Sequence, residues 1–105
     1  MDESIVRNFR PQVGTLKLSE AIRAGAKLRP QGFGATFKDG KSCAVGAAYE
    51  AVTGLTSWPQ HEEVYSFLSR HFGVPYSLLR RDVCEKNDSR ETREQIADWL
   101  EAQGN

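Results

Sequence analysis

Cys43 is the residue of this chain best placed to do chemistry. It lies in Lys41-Ser42-Cys43-Ala44-Val45-Gly46-Ala47-Ala48-Tyr49-Glu50-Ala51, where Ser42 is a natural N-cap and the thiol falls in the first helical turn. A thiol in that position feels the positive end of the helix dipole, which lowers its pKa and favours the thiolate. Nucleophilic catalysis needs, in addition, a base within hydrogen-bond reach and a group that orients it. His61 and His71 are the two histidines, and Asn87 or Asp88 could orient one of them. The candidate catalytic set is therefore Cys43, His71 and Asn87. The plainer reading makes Cys43 a small buried residue at the edge of an alanine face.

Asn87-Asp88-Ser89 offers three residues able to cap a closing helix, and Asp88 with Glu91 three positions later has capping-box spacing. That leaves Asn87 without a role. It can sit in a turn, bind a buried backbone group near the start of the second helix, or line a site with Cys43. Two helix N-termini converging there would favour an anionic group. The candidate ligand-binding residues are thus Ser42, Cys43, Asn87 and Asp88.

The same residue types do not make a metal centre. His61 and His71 are ten residues apart, roughly 15 Å along one helix, too far to share an ion. Cys43 and Cys84 add no paired ligand spacing, so neither a metal nor a cofactor is expected. The start, Met1-Asp2-Glu3-Ser4-Ile5-Val6-Arg7, is acidic and lacks the apolar stretch of a secretory leader. The cysteines then read as free thiols in a reducing, cytoplasmic setting, with a Cys43–Cys84 disulfide as the alternative. The longest uncharged apolar run, Cys43 to Tyr49, is too short to span a bilayer.

Charge disfavours nucleic acid as a general partner, because 14 Lys and Arg balance 14 Asp and Glu. A local cationic region does exist at Arg70, Arg80, Arg81 and Lys86. Helices joined across Gly73-Val74-Pro75 loosely fit a helix–turn–helix, but Asp82 and Glu85 dilute the field.

The elements that must carry these residues follow from periodicity. Thr15 or Ser19 caps a first helix to about Leu28, with Leu18, Ile22, Gly25 and Ala26 on one face. Arg29-Pro30-Gln31-Gly32 ends it. Phe33, Ala35 and Phe37 alternate with polar or small residues, and Asp39-Gly40 is a strong turn signal. The return arm is so short that an extended arm and tight turn are expected rather than a full hairpin. The second helix, from about Cys43 to Val52, gathers Ala44, Ala47, Ala48 and Ala51, a surface that suits close approach to Gly25 and Ala26. Gly54 stops it.

Trp58-Pro59 opens a third helix with Val64, Leu68 and Phe72 in a stripe. A fourth, Tyr76 to about Lys86, buries Leu78 or Leu79 with Val83. The fifth starts near Asp88 and carries Ile96, Trp99 and Leu100, with Glu91, Glu94, Asp98 and Glu101 on a solvated face. Trp58, Tyr65 and Tyr76 read as core or rim aromatics. The expected fold is one mainly α-helical domain over 15–103, of four to five short helices, with a short extended segment and turn near 33–42. Residues 1–14 form a loosely held arm.

Leu18-Ser19-Glu20-Ala21-Ile22-Arg23, Ser42-Cys43-Ala44-Val45-Gly46-Ala47-Ala48, and Asn87-Asp88 followed by Thr92-Arg93-Glu94-Gln95-Ile96-Ala97-Asp98-Trp99-Leu100 occur in this order. Together they resemble a group of small bacterial proteins of unknown function that share a Cys-Ala-x-Gly-Ala segment and a later Asn-Asp start to a closing helix. The resemblance implies a small helical bacterial domain and no assigned catalytic residues. The favoured expectation is a non-catalytic module, monomeric or weakly dimeric, that binds a protein partner or a small anionic ligand. The alternatives are a small enzyme with Cys43 as nucleophile and a nucleic-acid-binding domain using Arg80 and Arg81.

Overall fold

The structure, a computed structural model, describes residues 16–57 and 61–105. The N-terminal arm, a Thr15 cap and the Trp58-Pro59 helix start lie outside them. The described chain is mainly helical. Five α-helices are joined by a minimal antiparallel hairpin and a π-helical stretch: α1 (Leu18–Ala26), β1 (Phe37–Lys38), β2 (Lys41–Ser42), α2 (Ala44–Thr53), α3 (His61–Phe72), the π segment (Leu78–Val83), α4 (Cys84–Asp88) and α5 (Arg93–Ala102).

Helices α1 and α2 meet through small residues, as their sequences suggest. Leu18, Ala21, Ile22 and Gly25 face inward from α1, and Ala44, Ala47 and Ala48 from α2. Contact is so close at Gly25 that a Cβ there would lie 1.8 Å from the Ala47 carbonyl oxygen. Ser19 does not cap α1: it lies inside the first turn and is buried. Glu20 supplies the cap instead, accepting a hydrogen bond from the Lys17 backbone N–H at 2.8 Å.

The hairpin does close, contrary to the expectation of an open arm. Phe37 pairs with Ser42 and Lys38 with Lys41. Asp39 and Gly40 take φ of 53° and 75°, the left-handed pair that a two-residue hairpin turn requires. This puts Ser42 in β2, so the cap of α2 passes to Cys43. Gly54, at φ 77°, ends α2 as its position implies.

Val64, Tyr65 and Leu68 turn inward from α3, and Leu78, Leu79 and Val83 are all buried together. The wider π turn allows this, because residues five apart share a face there.

The start of α5 differs from its expected place. Asp88 ends α4, and Thr92 caps α5: its Oγ1 accepts from Gln95 N at 3.0 Å, while Gln95 Oε1 accepts from Thr92 N at 2.8 Å. Between them Arg90 adopts φ 73°, and Glu91 N donates to Lys86 O at 3.1 Å. This is the reversal that closes a helix rather than opens one. Ile96, Ala97 and Leu100 of α5 complete the core. Its acidic face is not simply solvated, since Glu94, Asp98 and Glu101 grip Arg23 of α1 at 2.6, 2.5 and 2.8 Å.

Candidate functional site

Asn87 has a role that its neighbours in sequence hide. It is 1% exposed and joins three segments through one amide. Its Oδ1 accepts from Ala44 N at 3.1 Å and from Gln31 Nε2 at 2.9 Å, and its Nδ2 donates to Gly32 O at 2.9 Å. The end of α4, the loop after α1 and the first turn of α2 are thereby locked together. Of the readings open to Asn87, the one that binds a buried backbone group at the start of the second helix is met by the bond from Ala44 N.

Arg93 holds the other side of the same junction. Its Nη1 donates to Ser42 Oγ at 2.9 Å and its Nη2 to Arg29 O at 2.8 Å, with longer bonds to Ser42 O and Ala26 O. Burial lowers its pKa from the ordinary arginine value. Arg29 in turn forms a two-pronged pair with buried Glu50 at 2.7 and 2.8 Å.

This packing decides the state of Cys43. Its N–H donates to Thr36 O at 3.0 Å and its Sγ accepts from Gly46 N at 3.5 Å. The loop presses so closely that a Cβ on Gly46 would sit 2.4 Å from Thr36 O. Removal from water pushes the Cys43 thiol up to about 11. Of the two readings of Cys43, the structure has the buried one: desolvation outweighs the helix terminus.

The anion argument changes for the same reason. Ala44 N is taken by Asn87, Gly46 N by the Cys43 sulfur and Ala47 N by Cys43 O. The second N-terminus is also missing from the site, because Asn87 and Asp88 stand at the C-terminal end of α4.

Cys43, Asn87 and Asp88 do line one cleft, of about 320 Å³, between the segment that leads into β1 (Gly34 to Thr36), α3 and the π–α4 helix. Ser42 is fully buried behind it, held by Arg93. Thr36, Cys43 and Tyr65 form a buried floor, and half-buried Cys84 forms a wall. The Tyr65 hydroxyl lies 3.6 Å from Cys84 Sγ, and burial raises the pKa of both groups. Glu62, Arg80 and Asp88 stand at the exposed mouth. Arg80 Nε is 3.6 Å from Glu62 Oε2, and its guanidinium is 5.7 Å from the centre of the Tyr65 ring. The Tyr76 hydroxyl donates to Glu62. Asp88 Oδ1 accepts from Gly34 N at 3.1 Å.

Of the candidate catalytic residues, Cys43 and Asn87 line this cleft and His71 does not. His71 packs against Phe67 and Phe72, with ring centres 5.5 and 4.8 Å away. It lines a different cleft, with Leu18 and Val74. Arg81 pairs with Asp82 at 3.0 Å, while Arg80 lies 3.6 Å from Glu62. Both cysteines are free thiols.

The chain matches no known protein family, no curated protein and no solved structure. Among the described residues, no group of three or more His, Cys, Asp or Glu could hold a metal ion. No described helix is long and apolar enough to cross a membrane.

Sequence reasoning passed over Arg93, Glu62, Tyr65 and the cleft role of Arg80 and Cys84. Two signals were available. Arg93 falls on the core stripe of α5 with Ile96, Ala97 and Leu100, at i, i+3, i+4 and i+7. Arg80, Cys84 and Asp88 recur every four residues, which puts them on one side of a single continuous helix.

Proposed function

We propose that this chain is a bacterial, cytoplasmic, non-catalytic binding module, and that its cleft takes a small polar ligand. The bacterial assignment rests on the resemblance of its ordered motifs to small bacterial proteins, and the cytoplasmic one on its two free thiols. The observation that carries the binding reading is the contrast within the cleft. The thiol on its floor is buried and engaged as a helix cap, whereas the charged side chains at its mouth are exposed. A nucleophile would need the opposite arrangement. A cleft with a few placed polar groups suits recognition.

The alkylation rate of Cys43 against pH, measured on a Cys84→Ser chain with iodoacetamide, tests this reading. Slow labelling across neutral pH, rising only in strong base or on unfolding, is the expected result. Rapid labelling with an apparent pKa of about 6–7 would overturn it and bring forward a cysteine-dependent enzyme.

A further inference from the structure

We infer that the cleft binds a free α-amino acid with a neutral side chain, gripped as a zwitterion at the mouth. The inference rests on the binding-module reading and names the ligand class of that site. Arg80 and Glu62 face each other across the mouth at 3.6 Å, a single contact between side chains 55% and 63% exposed. At that separation neither group satisfies the other, so a guanidinium fork and a carboxylate remain open to a ligand. Asp88 adds a second carboxylate beside them. Glu62 accepts one hydrogen bond from Tyr76 and Asp88 one from Gly34. Each carboxylate can accept further bonds.

The charge pattern selects among ligands. A simple anion meets two carboxylates around one arginine. A simple cation leaves the Arg80 fork unused. An α-amino acid carries a carboxylate and an ammonium on one carbon, which matches a guanidinium and a carboxylate held this close. Arginine suits the carboxylate because its planar donors bind it in two-pronged fashion. Below the mouth the walls turn neutral, with Thr36, Cys43, Tyr65 and Cys84. That lining favours an uncharged side chain, since a charged one would be desolvated without a partner. A volume of about 320 Å³ is at the small end of ligand sites, roughly 300–1,000 Å³.

Calorimetric titration of the full chain with L-leucine, L-leucinamide and 4-methylpentanoate tests the inference, with L-valine and L-methionine as alternates. The amide keeps the ammonium and loses the carboxylate, and the acid does the reverse. One of the amino acids should bind, and its two analogues should bind at least tenfold more weakly. Arg80→Ala should erase the preference over the amide, and Glu62→Gln the preference over the acid. Either analogue binding as tightly as the amino acid would overturn the zwitterion grip. A parallel amide-NMR screen of dipeptides and small metabolites separates the two failures. If none of the three amino acids binds but another compound shifts Gly34, Tyr65 and Cys84, only the ligand class falls. If nothing shifts those residues, the binding-module reading falls with it.

Discussion

Two polar regions lie side by side in this molecule and use their charged and amide groups in opposite ways. Around Asn87 and Arg93 the groups are buried, and each is matched to a backbone or side-chain partner from another segment. At the mouth of the cleft, Glu62 and Arg80 are more than half exposed and only loosely opposed. The first region is a junction, in which a missing partner costs the desolvation of whatever is left. The second is a rim, in which water replaces whatever is removed. A polar residue near a cleft is therefore not a functional residue by position alone. The distinction is whether its hydrogen bonds are already complete.

Substitutions should separate the two regions sharply. Asn87→Ala strands Ala44 N and Gly32 O in the interior, and should lower stability by about 3 kcal/mol in urea unfolding. A loss below about 0.5 kcal/mol for Asn87→Ala would show that the junction is not the anchor described above.

Cys43, on the buried floor of the cleft, gives the next effect through its titration. Its thiol is pushed from 9.0 to about 11 in the folded chain. Unfolding exposes it, so the unfolded state loses its proton first as pH rises. Stability should be unaffected by this group below about pH 9 and fall as pH climbs towards about 11, by about 2 kcal/mol. Comparing pH-dependent melts of the natural chain and Cys43→Ala isolates the term, because the variant should lack that part of the decline. The smallest effect should come from the rim. Arg80→Ala should change stability by no more than about 0.5 kcal/mol in the same unfolding assay, and a larger loss would move Arg80 from the rim into the junction.

The helical class, the small-residue contact of α1 with α2 and the Gly54 stop were legible because each is local or periodic. Gly25 costs helix propensity, so its presence signals a close neighbour, and Ala47 is that neighbour. The cap at Asp88 misled because Asn, Asp and Ser also favour helix ends and turns, and local spacing cannot tell which end they serve. Thr92 and Gln95 carried the same capping signal four residues later. The sequence left the thiol between an activated and a buried reading for a different reason. The dipole acts within one helix and can be read from sequence, whereas desolvation depends on Thr36 and Gly46 coming together in space. Among the candidate site residues, Cys43, Asn87 and Asp88 share a cleft, but part of its lining comes from Glu62 and Tyr65 on α3, which no spacing rule links to position 43.

The bond from Arg93 to Ser42 joins residues 51 apart, and that from Asn87 to Gly32 joins residues 55 apart. During synthesis, then, α1, the hairpin and α2 leave the ribosome before the side chains that tie them together have been made. The first turn of α2 must wait for residue 87, and the loop after α1 for residue 93. The emerging first half has its close-packed helix pair but not its clasp. The fold is thus clasped only once residue 93 has been made.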